Sequence, residues 1–208
     1  MIKLLVVDNH PIIRKGLDLL FVTSPQIQVV GGVSNGEAIF DFLKSNSVDI
    51  IICEIDLPKL NGITALRRLK RDHPSVKVIM FSSQPEKIYA LNTLKAGASG
   101  YLTKTSDIFT IKEAIMKVYD GGVYLSNEMA QQMALGRRVT RTGTHFKKLS
   151  TREIEVLKLL SSGKKNKEIA EELDINEKTV STYKARLMKK LNVTNIVDLI
   201  SRAKLLEL

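Results

Sequence analysis

The sequence has a single cysteine, Cys53, among 208 residues, which excludes a disulfide within the chain. Such sparing use fits a reducing compartment, and Cys53, set in an apolar run, reads as a buried, inert thiol. Long hydrophobic runs are also missing; none approaches the roughly 20 residues that a membrane-spanning helix needs. The opening MIKLLVVDNHPIIRKG turns acidic and polar too early for a secretory signal. These absences point to the cytoplasm and to no membrane partner. His10, His73 and His145 have no metal-ligand spacing. Internal repeats, low-complexity segments and hydrolase, kinase or dinucleotide-binding motifs are absent too, so the chain reads as a non-enzyme.

What is present is charge, unevenly placed. The net charge is +10. Residues 1–136 hold 15 Lys/Arg against 13 Asp/Glu, a surplus of 2, whereas residues 137–208 hold 17 against 9, a surplus of 8. A basic segment attached to a near-neutral one suggests a polyanion partner, most often nucleic acid. By itself this is equally a solvated lysine-rich surface.

The first 120 residues alternate apolar runs at 3–7, 28–33, 49–53, 77–82 and 100–102 with amphipathic stretches at 11–21, 36–45, 62–71, 86–96 and 108–119. Runs rich in Val and Ile on both faces are typical of parallel strands covered by helices. This pattern predicts an α/β fold, a five-stranded doubly wound sheet of the flavodoxin-like kind, over residues 1–121. Gly31-Gly32 and Gly121-Gly122 read as turn signals. Residues 122–147 read as a linker, with a short helix at 126–135 and an exposed polar stretch around 136–144. From 148 to 208 strand signals stop and four helices remain, an all-α domain. Ser150-x-x-Glu153 has the form of a capping box, Gly163 of a helix stop, and Asn166 and Asn176 of helix caps.

Helix 167–173, the turn 174–176 and helix 177–191 form a helix-turn-helix layout. On a helical wheel Val180, Leu187 and Leu191 share one side. Lys178, Ser181, Thr182, Ala185, Arg186 and Lys189 share the other. Small side chains allow approach to base edges, and flanking cations can hold phosphates. Lys164, Lys165 and the amides at Asn166 are candidates to grip phosphate from the neighbouring helix end. The pattern alone leaves a generic helical bundle with a charged face equally open. LSTREIEVL at 149–157, Gly163, NKEIA at 166–170, Leu173 and KTVSTYKARLMKKL at 178–191 resemble the LuxR/NarL-type DNA-binding domain. The resemblance implies that helix 177–191 is the recognition helix and that the last helix pairs two domains on double-stranded promoter DNA as a homodimer. It adds Thr179, Tyr183 and Lys190 to the candidate contacts; Tyr183 stands where many members have His.

In a parallel α/β sheet, sites form at the carboxyl ends of strands. Those ends carry Asp8, Asn9, Glu54, Ser82 and Lys104. Any one of these fits a plain strand-end salt bridge; the set together is harder to explain that way. VVDNHP at 6–11, LPxxxG at 57–62, Ser82-Ser83 and AGASGYLTK at 96–104 resemble the response-regulator receiver domain, and the whole chain a NarL/FixJ-type response regulator. The resemblance implies an acidic pocket at Asp8 and Asn9 and a phosphoacceptor position at Glu54. It implies a switch set of Ser82, Tyr101 and Lys104, a Mg²⁺ site at Asp8, Glu54 and Asp56, and a sensor histidine kinase or other regulatory protein as partner. A half-buried strand aromatic is an equal reading of Tyr101.

Two departures weaken conventional phosphorylation. Glu54 stands where the family has Asp, one methylene too long for in-line transfer, and Asn9 lacks the charge that Mg²⁺ favours. Glu54 reads as a phosphoryl mimic, as part of a degenerate docking module, or as an introduced Asp→Glu change. Activity independent of phosphorylation is favoured. The alternative function is a protein-interaction module with only weak, non-specific DNA binding. A specific regulator is distinguished from it by roughly 10³-fold or greater preference over random DNA.

Overall fold

Short Val/Ile-rich runs, each followed by an amphipathic stretch, build five parallel strands joined by helical crossovers. The computed structural model describes residues 1–134 and 149–204. They fall into two compact units, the first ending at Ala134. The polar stretch expected around 136–144 lies outside the described residues.

In the first unit the order is β1 (Ile2–Val7), α1 (Pro11–Phe21), β2 (Ile27–Val33), α2 (Gly36–Leu43), β3 (Ile50–Cys53), α3 (Gly62–Asp72), β4 (Lys77–Ser82), α4 (Glu86–Lys95), β5 (Gly100–Thr103), α5 (Ile108–Tyr119) and α6 (Asn127–Ala134). The sheet order is β2-β1-β3-β4-β5, all parallel. Leu4, Val6, Ile50, Ile52, Ile79 and Phe81 share a core with Leu17 and Phe21 of α1 and Ile111, Ile115 and Val118 of α5. Their alternates Leu5, Val7, Ile51, Cys53, Val78 and Met80 point to the other face and are equally buried. Burial on both faces is why these strands read as continuous apolar runs instead of alternating ones.

Gly62 fixes where α3 begins. A β-carbon there would stand 1.9 Å from the Glu54 carbonyl oxygen, so only glycine lets the helix start against the end of β3. After α5 the chain turns at Gly121-Gly122 and runs back along β5. Tyr124 N–H donates to the Ser99 carbonyl (3.0 Å) and the Tyr124 carbonyl accepts from Tyr101 N–H (2.9 Å), a parallel bridge at the sheet edge. The helix expected near 126–135 is α6.

The second unit has α7 (Thr151–Ser161), α8 (Asn166–Glu172), α9 (Glu177–Leu191) and α10 (Ile196–Lys204). The Ser150–Glu153 capping box forms at the start of α7, and Gly163, with φ of +84°, follows its end. Asn176 caps α9 by accepting from Thr179 N–H at 2.8 Å. The cap expected at Asn166 falls one residue earlier. Lys165 precedes α8 and its N–H donates to Glu168 Oε2 (2.6 Å), which leaves the Asn166 side chain free to reach α9. Leu157, Leu160, Ile169, Val180, Leu187, Leu191 and Leu199 form the core, each worth about 1.5–3 kcal/mol of burial.

Candidate switch site and candidate nucleic-acid interface

The carboxyl ends of β1, β3, β4 and β5 bring four side chains together. Asp8 follows β1 and Glu54 follows β3; they are 1% and 4% exposed. Ser82 ends β4, and Lys104 follows β5 with its side chain 11% exposed. Lys104 Nζ lies 2.7 Å from Asp8 Oδ2 and 2.7 Å from Glu54 Oε2. Glu54 Oε1 accepts from Ser82 Oγ, from Ile55 N–H (2.5 Å) and from Asp56 N–H (3.2 Å). Asp8 Oδ1 accepts from His10 N–H (2.8 Å) and meets His10 Nδ1 at 2.9 Å. Arg14 donates to the Asp8 carbonyl at 2.6 Å. Burial pushes the Lys104 ammonium down, but its hydrogen bonds to Asp8 and Glu54 outweigh that and hold it above its ordinary value.

The other expected members stay at the rim. Asn9 and Asp56 are exposed, and Asp56 Oδ2 accepts from Gln84 Nε2 at 2.7 Å. Of the set Asp8, Glu54 and Asp56 expected to hold Mg²⁺, Asp8 and Glu54 meet across Lys104, while the Asp56 carboxylate turns to Gln84. Among the described residues no three His, Cys, Asp or Glu side chains converge as a metal site. The donors present do not fit the ion, because Asp8 and Glu54 already spend their oxygens on Lys104, Ser82 and backbone N–H groups.

Tyr101 is 1% exposed, not half-buried, and its hydroxyl donates to the Gln84 carbonyl at 2.8 Å. Burial, with the neighbouring Tyr89 and Glu54, pushes the phenol well above its ordinary range, so it stays a donor. The loop after β4 also continues into α4, where Glu86 Oε1 accepts from Ser126 N–H at 3.0 Å, just before α6.

In the second unit α9 sorts its residues as the wheel predicts. Val180, Leu187 and Leu191 are buried, while Lys178, Ser181, Thr182, Ala185, Arg186 and Lys189 are exposed. The Ser181 and Thr182 hydroxyls donate back to the carbonyls of Glu177 (3.1 Å) and Lys178 (3.0 Å). Asn166 Nδ2 donates to Ser181 Oγ at 3.2 Å and its Oδ1 accepts from Lys184 at 3.3 Å, so α8 and α9 are tied at this edge. Arg186 stands 5.9 Å from the Tyr183 ring centre.

Three expected contacts have other engagements. Lys190 Nζ lies 2.7 Å from Glu153 Oε2, a carboxylate 2% exposed that also closes the α7 capping box. Lys164 is paired with Glu172, and the Thr179 hydroxyl donates to Asn176 Oδ1 at 2.8 Å. Lys165 remains exposed.

The family model of the response regulator receiver domain matches residues 4–116, and that of the bacterial regulatory proteins of the luxR family matches residues 147–203. The response regulator UvrY of Escherichia coli K12 is 34% identical over 96% of this chain and 92% of its own. The chain belongs to the response regulators of the LuxR family. The Fimbriae Z protein of the same strain is 36% identical over 99% of this regulator and 98% of its own length. A structure of RcsB from Salmonella enterica serovar Typhimurium shares the fold, with a TM-score of 0.78 at 24% identity, over 98% of this chain and 99% of that one. A two-component response regulator of the LuxR family from Aurantimonas gives a TM-score of 0.60 at 30% identity over 65% of this chain and 96% of that one. This regulator is thus a two-component transcription regulator with a LuxR-type DNA-binding domain. Among its described residues no helix is long and apolar enough to cross a membrane.

One residue of the regulator's cluster has no signature in the sequence. Gln84 accepts from Tyr101 through its carbonyl, donates to Ser82 Oγ through its N–H (3.3 Å) and ties Asp56 through its amide. Only its place two residues after Ser82 hints at this.

Proposed function

We propose that this regulator binds specific promoter sites on double-stranded DNA as a homodimer, with Glu54 holding its first unit in the switched state without phosphoryl transfer. The observation that carries the reading is the direct bond from Ser82 to Glu54 Oε1 together with an inward Tyr101. In a phosphorylated receiver the hydroxyl would move to a phosphoryl oxygen and the aromatic would turn inward. A carboxylate supplies one charge and two oxygens against about 1.5–2 charges and three oxygens of a phosphoryl group, so it is a weaker copy. The extra methylene of glutamate offsets this by reaching both Ser82 and Lys104. In this reading a sensor kinase is not needed to set the state, and the regulator acts in the cytoplasm.

DNA recognition rests on the exposed face of α9, small in the middle and cationic at the margins. RcsB has been seen bound to the promoter rprA in the presence of the phosphomimetic BeF3−, and two RcsB dimers have been seen bound to two parallel DNAs. That precedent supports a dimer on DNA here.

The test is the affinity of the intact chain for its enriched DNA site, with and without a small acyl phosphate. Expected are preference of roughly 10³-fold or more over random DNA and no gain from the phosphodonor. Glu54→Gln should weaken binding about 5–150-fold, the usual range of coupling between a switch and a binding site. Stoichiometric ³²P labelling at Glu54, or equal affinity of the Glu54→Gln variant, would sink the reading.

A further inference from the structure

We infer that the Lys104 ammonium takes the place of a divalent cation as counter-ion of the strand-end cluster, so that the cluster holds its geometry with no metal. This rests on reading the cluster as the switch site, but its test is separate from the test of that reading.

Geometry comes first. Lys104 Nζ is equidistant, at 2.7 Å, from Asp8 Oδ2 and Glu54 Oε2, and so joins the ends of β1, β3 and β5. Asp8 Oδ2 has no hydrogen-bond donor other than that ammonium among the described residues. Mg²⁺ requires near-octahedral oxygens at about 2.0–2.1 Å and gives up its waters reluctantly. To hold it, both carboxylates would have to close in, and Lys104 would have to leave a place where its side chain is only 11% exposed.

Charge balance points the same way. Two buried carboxylates face the Lys104 ammonium, the Arg14 guanidinium sits on the Asp8 carbonyl, and backbone N–H dipoles solvate the carboxylate oxygens. His10 N–H serves Asp8, and Ile55 and Asp56 N–H serve Glu54. Such charge-assisted bonds are the strong kind. A third acid to complete a metal shell is lacking at the required place. Asn9 is neutral and exposed, and Asp56 is held by Gln84.

Glu54 engages both groups at once: Oε2 meets Lys104 Nζ at 2.7 Å while Oε1 accepts from Ser82 Oγ.

The experiment is titration of the intact protein with Mn²⁺, followed by electron paramagnetic resonance. Mn²⁺ shares the preference of Mg²⁺ for oxygen ligands. The unmodified chain should show no saturable site that depends on Glu54. Lys104→Met keeps the apolar stem and removes the charge, and should create such a site, with Mn²⁺ bound at least about tenfold more tightly, as expected when a competing fixed cation is removed. DNA affinity of the unmodified chain should not fall when EDTA removes Mg²⁺. Stoichiometric Mn²⁺ binding by the unmodified chain that Glu54→Gln abolishes would overturn the inference. So would a Lys104→Met variant that binds no tighter, or loss of DNA affinity in EDTA. If the variant does not fold, the titration of the unmodified chain and the EDTA comparison still decide. A DNA-affinity gain from a phosphodonor would refute the proposed function and leave the Mn²⁺ result standing.

Discussion

The Tyr101 hydroxyl donates to the Gln84 carbonyl across 2.8 Å, and the same Gln84 reaches Ser82 with its N–H and Asp56 with its side chain. One loop residue therefore senses three neighbours around the cluster. Tyr101→Phe keeps the ring and removes one hydrogen bond, and should cost about 0.5–1.5 kcal/mol of stability. Gln84→Ala keeps the backbone bonds and loses only the exposed tie to Asp56, so it should cost less. Chemical denaturation of the two variants checks the order, and a costlier Gln84→Ala would contradict this division.

Lys189 and Lys190 are neighbours with different work. Lys189→Ala should weaken binding to all DNA sequences and lower the salt slope by about 1, as loss of a phosphate contact does. Lys190→Ala should instead destabilise the second unit, since it takes the cationic partner from the nearly buried Glu153 carboxylate. Solvent reaches the Lys190 end of the pair, so about 1–2 kcal/mol is expected, below the cost of a fully buried ion. Salt titrations on both variants would separate the roles; equal slopes would refute the separation.

Thr182 is placed to read bases. Thr182→Ala should change which base pair is preferred at one position, by about 1–3 kcal/mol, and leave binding to random DNA nearly unaltered. Selection of sites from a random pool with the variant measures this. Equal effects on cognate and random DNA would remove Thr182 from the reading face.

Acid should loosen the second unit through Glu153. Burial pushes its carboxyl up, but the Lys190 side chain and the Ser150 N–H outweigh burial and hold it below its ordinary value of 4.5. A carboxylate with a depressed folded pKa contributes stability that is present above its unfolded value and lost as pH falls through the folded one. Stability should therefore drop as pH falls below about 4.5, and Glu153→Gln should flatten that slope. Denaturant midpoints measured from neutral pH downward provide the readout.

Much of this was legible because local chemistry and tertiary structure agree. The Val/Ile runs become the strands, and the outer face of α9 is the one the 100° wheel selects. Ser150 and Asn176 cap as their residue types suggest. What stayed hidden depends on partners far along the chain. Lys190 and Glu153 are 37 residues apart, and nothing in a helical pattern shows that a cation beside the recognition face is already paired. Asn166 has the right chemistry for a cap, yet its side chain is taken by Ser181, because Lys165 and Glu168 settle that helix start through the backbone. Tyr124 pairs with β5 through one isolated main-chain bridge, too short to leave an alternation to read. Tyr101 was ambiguous because burial of its hydroxyl depends on a carbonyl 17 residues away.

The bridge at Tyr124 also says where this protein can be cut. Gly121-Gly122 is the tempting place to detach the first unit for grafting onto another effector, since the regular pattern stops there. A splice at that point would strip the cover from β5 and leave unpaired main-chain groups on the sheet's rim, an invitation to aggregate. It would also discard α6, together with the Ser126 N–H that Glu86 holds. A chimaera joined after Ala134 keeps the rim closed.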